Sequence, residues 1–581
     1  MDTFWGTIRF ELAQSNKIHL LWCAALLLTM LILAILHHRW RYYTDLMKRW
    51  RDLCFIPLLI TTIHYFIYVT GAPHFLSNYT PLYLIALLAL LTMLCAERKT
   101  GYKVFAAITV TLSVIFSAYF CVSSLNCHNY SRKSYTASFR ALVKEMDHSY
   151  VLKEWKEVNF KALEDKYTPM VREAENNGDP AEFADAVTMF CNELHDSHVT
   201  VHTDYNTEKY HSLFELNDYG LSMVRLDNCD VIAVCTNAAA NSLGIEDVTV
   251  ITKWNGKPVL KAAAEDVPDN GVPVKENADR MALADLSGTG SETVEVSFID
   301  KSGKEKNAVL TAHEDEHTLD DCCDAFLHRP DNEYEVLSSN FSTKMLDEKC
   351  GYIMLTAETT GSDLRDKIAY YTGESKWAKE MFRKKLRRLK DQGMEYLVID
   401  IRNNLGGFGE ISYALISLLT NDDLYGIGLG TRKNGDYRCF AEHSIHADGE
   451  FSDLRVVALT NCACLSASDE TAFDLSQLSN VTLAGITDPC GSGQMTGGCC
   501  VLSKGIVTVN FPTGLVLNEN GEPKIDPRAD RKSRNPVEVR IPLDYEAAMR
   551  IFRDREDYEL DWAVKFLEDP DKQVAKQMGS Q

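Results

Sequence analysis

Apolar positions are spread unevenly along the chain. Four runs, at 18–36, 53–69, 81–96 and 104–125, are nearly free of charge. Each approaches the roughly 17–25 residues a helix needs to cross a hydrocarbon core, although Pro57 and His64 interrupt the second. In series they predict a four-helix membrane domain over residues 1–126. The loop after the first run carries Arg39, Arg41, Lys48, Arg49 and Arg51, and the loop after the third carries Arg98, Lys99 and Lys103. The loop between the second and third, 72–79, has no Lys or Arg. Basic short loops stay cytoplasmic, so the pattern predicts a multi-pass protein of the cell membrane. Everything after about Asn126 would then lie outside the cytoplasm, with the lipid bilayer as one partner. The first run is too long for a signal-peptide core and lacks a small-residue cleavage site.

Beyond residue 130 the period changes. FRALVKEM and EFADAVTMFCNELHD place apolar residues at helical spacing, predicting a helical segment over 130–205. Short pieces such as GLSMVRL, DVIAVC, VTVITKWNG and TVEVSFID, punctuated by Asn255-Gly256 and Ser302-Gly303, predict a β-rich domain over 213–312. From about 330 to 565, the apolar strands GYIMLTA, YLVIDIR and RVVALTN alternate with helical stretches and predict an α/β domain. The basic stretch 376–390 reads as a solvated helix face. The chain is therefore multi-domain.

Composition narrows the partners. A net charge of -22 over 581 residues argues against nucleic acid. Of 17 cysteines, thirteen follow the fourth apolar run. No CxxC pair with a matching second pair occurs, so neither a metal nor another cofactor is expected.

Three segments carry candidate chemistry. In YLVIDIRNNLGG a strand ends at Asp400 and turns on Gly406-Gly407, which lets backbone N–H groups face a cleft, as an oxyanion requires. In ACLSASDE, Ser466 stands between a strand and a probable helix, where helix-end amides favour negative charge. Ser466, Ser468 and Asp469 would equally serve as N-caps. In ELHDSHVTVH, His198 follows Asp196 and Ser197 and is a candidate base for a nucleophilic serine.

Together, and in this order, the segments resemble those of the tail-specific (C-terminal-processing) serine proteases, a family that includes the tricorn core and retinoid-binding relatives. Residues 396–407 resemble its D-x-R-N-N-x-G-G signature, 463–470 its S-A-S-E segment, and 193–200 its L-x-D-x-H element. The resemblance covers roughly 135–565. It implies a crotonase-like α/β protease domain, with Ser466 as nucleophile and Gly406, Gly407 and Ala467 as oxyanion donors. It also implies a PDZ-like 213–312, whose Tyr219, Gly220, Leu221 and Ser222 would hold a substrate's C-terminal carboxylate. One departure stands out. Where the processing proteases place a lysine in T-x-G-K-G, GITDPCGSGQ holds Ser492, and Lys504 lies too far along. A tricorn-like arrangement fits better, with His198 as base, Ser197 beside it, and Glu519 or Glu522 as weak candidates for a third residue. The resemblance thus implies a membrane-anchored extracytoplasmic serine endopeptidase acting on protein or peptide substrates. An inactive homologue that binds peptides or apolar ligands is the alternative.

Overall fold

A computed structural model describes residues 3–571, apart from 15–16, 74, most of 95–125, 206–218, 289–290, 314–317 and 327–339. Two six-stranded sheets organise the body. In the first, strands Cys350–Leu355, Tyr396–Asp400, Arg455–Leu459, Val481–Gly485 and Val539–Arg540 run parallel, with Phe341–Met345 antiparallel at one edge. Both faces are covered, as unbroken apolar strands require. Leu397 and Ile399 point into one core, shared with helices Lys376–Asp391, Gly409–Leu419 and Ala467–Ser476. Val398 points into the opposite core, with Trp562 and Phe566 of helix Tyr558–Glu568. The predicted α/β alternation is therefore observed, and the loops after the parallel strands gather at one end.

The second sheet is built on strand Val507–Leu517. It pairs with Met495–Val501, Leu424–Lys433 and Thr200–Thr203, and Asn126–Asn129 and Asp436–Ile445 lie outside these. The helices Tyr135–Ser149, Phe160–Asn177 and Pro180–Asn192 pack on its outer face, burying Phe139, Phe160 and Phe190 against Phe511 and Leu515. Residues 219–312 form a two-stranded and a four-stranded sheet, together with helices Val259–Asp266 and Lys275–Leu286.

The four-helix membrane domain and the multi-pass placement are corrected. Among the described residues, no helix is long and apolar enough to cross a membrane. The second run yields only the 13-residue helix Ile56–Tyr68, about 20 Å long at 1.5 Å per residue. Part of the basic loop before it is itself a helix, Thr44–Leu53. The apolar runs find partners in one another: His64 is fully buried, with ring contacts to Trp22, Tyr68, Tyr79 and Tyr83. The fourth run lies almost wholly outside the described residues. The extracytoplasmic assignment and the bilayer as partner rested on these runs and lose that support. Helix Thr3–Gln14, which precedes the first run, docks on the two-sheet body. Phe10 enters its main core, Tyr370 donates to Glu11 at 2.7 Å, and Thr513 donates to Gln14 at 3.1 Å.

Candidate active site

Two loops leave adjacent parallel strands and are cross-tied. After Asp400, the buried Arg402 meets the Asp400 carboxylate at 2.7 Å, Asp557 at 2.9 Å and Glu559 at 3.2 Å, anchoring the loop from beneath. Asn403 and Asn461 exchange hydrogen bonds of 3.1 and 2.9 Å, joining this loop to the one after Arg455–Leu459. The Asn404 carbonyl accepts from Leu465 N at 3.1 Å, and its side chain accepts from Gly406 N at 2.8 Å. The R-N-N part of the signature is thus a scaffold.

That scaffold presses Gly406 onto Ser466. Gly406 has φ +92, and a Cβ there would lie 2.8 Å from both Ala467 N and Ser466 Cβ, so only glycine fits. Ser466 itself has φ 61 and ψ -129, a backbone conformation rare for a side-chain-bearing residue and one that concentrates at functional sites. It occupies the N-cap of helix Ala467–Ser476, yet its hydroxyl makes no capping bond. Capping therefore does not account for it. With Gly406 N committed to Asn404, the amides of Gly407 and Ala467 are those without a hydrogen-bond acceptor among the described residues.

Ser492, in the position where a lysine would be expected, ties the nucleophile candidate to the base candidate. Its carbonyl accepts from Ser466 N at 2.8 Å, and its hydroxyl lies 2.7 Å from His198 Nδ1. The same hydroxyl donates to Asp196 Oδ1 at 3.1 Å. Asp196 is buried and also accepts from Tyr150 O–H at 2.8 Å and from His198 N at 2.9 Å. Burial acts against its ionisation, but Lys156, His198 and these donors hold its carboxyl below the ordinary value.

The network fixes the tautomer. A hydroxyl has one hydrogen, and that of Ser492 goes to the carboxylate, so Ser492 Oγ accepts from His198 Nδ1–H. His198 Nε2 is then the unprotonated nitrogen. Burial keeps the imidazole below its usual 6.5, with Asp196 pulling the other way and Lys156 reinforcing the drop. A neutral imidazole with a free Nε2 lone pair has the form of a general base.

Other expected residues fall elsewhere. The Ser197 hydroxyl meets Cys490 Sγ at 3.1 Å, so the partner found on the imidazole is Ser492. Glu519 is exposed, and Glu522 pairs with Arg528 at 3.5 Å and Arg534 at 3.6 Å. The carboxylate under this segment is Asp526, fully buried, accepting from Gly493 N at 3.3 Å and from the Gln494 amide. Burial raises it to about 7. In the sequence nothing in the charged stretch GEPKIDPRAD sets this aspartate apart from its neighbours. Asp469 holds the same loop from the other side, accepting from Gly491 N at 2.5 Å and Ser492 N at 3.3 Å. Lys504 lies over the Tyr135 ring at 5.7 Å. Tyr219, Gly220, Leu221 and Ser222 are buried in the 219–312 unit. Tyr219 donates to Ser291 O at 2.9 Å, and a Cβ on Gly220 would meet the Asn237 amide at 2.3 Å.

Residues 349–528 match the model of Peptidase family S41. No curated protein matches the chain. Among solved structures, mature CPAF is 15% identical over 76% of this chain and 98% of its own, with a TM-score of 0.50. The photosystem II D1 C-terminal processing protease is 18% identical over 72% and 97%, with a TM-score of 0.34. The tricorn protease is 13% identical over 75% and 37%, with a TM-score of 0.31. At such identities the likeness to CPAF speaks for the fold alone. The family match spans both cross-tied loops, Ser466 and the Ser492 segment, so that residues 349–528 carry a domain similar to Peptidase family S41, whose members are serine hydrolases.

Proposed function

We propose that the chain cleaves peptide bonds through an acyl-enzyme on Ser466, with His198 as base and then acid. The observation that carries this reading is the Ser492 junction, where one residue holds both the Ser466 backbone and the correct tautomer of His198. In the attack, Ser466 Oγ bonds to the carbonyl carbon while His198 Nε2 takes its proton. The Gly407 and Ala467 amides receive the oxyanion, and the imidazolium then protonates the leaving amine. Asp196, through Ser492, steadies the charge on the ring.

Two expectations follow. The base form of His198 exists above its pKa, which burial lowers. kcat/KM should therefore fall as pH drops through a value below 6.5; an acid limb centred above 7 would remove His198 as the base. Gly407→Ala places a Cβ 2.3 Å from Glu358 O and so displaces one donor. A loss of roughly 10²–10³-fold in kcat is expected, read by steady-state hydrolysis of an unstructured peptide.

The tail-specific character is part of the same proposal. Strand Ser222–Arg225 has one strand neighbour among the described residues. Near it, Arg225, Lys275 and Arg280 help line a cavity of about 670 Å³ that reaches Asp488 and Ser533 of the peptidase body. A peptide end could add as a strand there. Peptides with free and amidated C-termini test this: preference for the free acid by about tenfold supports it. Equal cleavage would remove tail specificity and leave the Ser466 chemistry intact.

A further inference from the structure

We propose that Cys127 and Cys499 form a disulfide that ties strand Asn126–Asn129 to the strand leading out of the Ser492 segment. Both are free thiols in this structure. The two strands run parallel, with Cys127 directly opposite Cys499. Neighbouring strands lie about 4.7–4.9 Å apart, inside the roughly 4.4–6.8 Å Cα separation that a disulfide spans. Both side chains pack in one apolar cluster with Phe75 and Tyr79.

The register also rejects the nearest rival. Cys500, one residue on, leaves the opposite face of the strand and enters the helical core with Cys191 and Phe139. Cys127 is 3% exposed, whereas Cys499 is half-buried, so an external disulfide reaches Cys499 first.

The chemistry is a thiol–disulfide exchange with a small disulfide such as oxidised glutathione. The Cys499 thiolate attacks one sulfur of the small disulfide, forming a mixed disulfide and expelling one small thiolate, which takes up a proton. The Cys127 thiolate then attacks the Cys499 sulfur and expels the second. Two cysteine thiols become one disulfide, and the small disulfide is reduced to two thiols. The hydrogen bond with Cys127, together with burial, pushes the Cys499 thiol well above its ordinary value. Exchange is therefore slow at neutral pH and faster as pH rises.

The bond would close a loop enclosing the helical segment, the 219–312 unit and most of the peptidase body. Such closure raises the thermal midpoint chiefly by restricting the unfolded chain. The full-length protein is incubated with oxidised glutathione at pH 8.5, and its non-reduced peptides are mapped by tandem mass spectrometry. A Cys127–Cys499 cross-link is expected. It should persist in Cys500→Ser, vanish in Cys499→Ser, and be accompanied by a rise of a few degrees in midpoint that dithiothreitol reverses. A cross-link to Cys500 or Cys191 would overturn the proposal, as would recovery of Cys499 only as glutathione adduct or free thiol. Because the wild-type fragment ions alone assign the sulfurs, the outcome stands even if a variant fails to fold.

Discussion

Ser466→Ala is expected to lower kcat/KM on an unstructured peptide by roughly 10⁴–10⁶-fold, the range over which losing a catalytic serine collapses a triad. Fold and stability should be unchanged, because the Ser466 hydroxyl caps nothing and its backbone bonds to Ser492 and Glu470 remain. That separation of effects makes the variant informative. If Ser466 were an N-cap, alanine would cost about 1 kcal/mol of stability and little activity. If the chain were a binding protein of the same fold, alanine would change neither. Activity within tenfold of wild type would rule out Ser466 as nucleophile.

Arg402→Met should be the most damaging substitution for stability. Arg402 is 4% exposed and shared by Asp400 at 1%, Glu559 at 5% and Asp557 at 20%. Removing the cation leaves buried carboxylates uncompensated, which costs about 3–5 kcal/mol. The midpoint of urea unfolding should fall with little change in slope. The deficit should shrink as pH is lowered, because protonation removes the charges that Arg402 had balanced. Arg402→Lys should recover only part of the loss, since one ammonium cannot replace a fork that meets three carboxylates. A midpoint within experimental error of wild type would show that this cluster does not hold the signature loop.

The chemistry-bearing residues were legible where a short segment fixes its own geometry. The Gly406-Gly407 turn, the strand-to-helix position of Ser466 and the alternation of Val398 with Leu397 and Ile399 are local consequences of the chain. What failed was non-local. Ser492 and His198 lie 294 positions apart, and although GITDPCGSGQ shows a serine where a lysine is expected, nothing near either residue shows that its hydroxyl meets the imidazole. Ser197 was the natural guess because it is adjacent, but its side chain turns toward Cys490. Asp526 was overlooked for Glu519 and Glu522 because burial, not motif position, brings it under Gly493 and Gln494. The membrane reading failed for a related reason. Hydropathy counts apolar residues but does not report their neighbours, and it gave no sign that Phe10, Glu11 and Gln14 seat the leading helix on the peptidase body.

The central claim is that Ser466 is a nucleophile activated by His198, and labelling with a serine-reactive fluorophosphonate tests it most directly. Wild-type protein should gain one adduct, mapped to Ser466. Labelling should be lost in Ser466→Ala, and it should slow by at least a hundredfold in His198→Ala, which removes the base. An adduct mapped to Ser492 or Ser197, or equal labelling rates with and without His198, would contradict it.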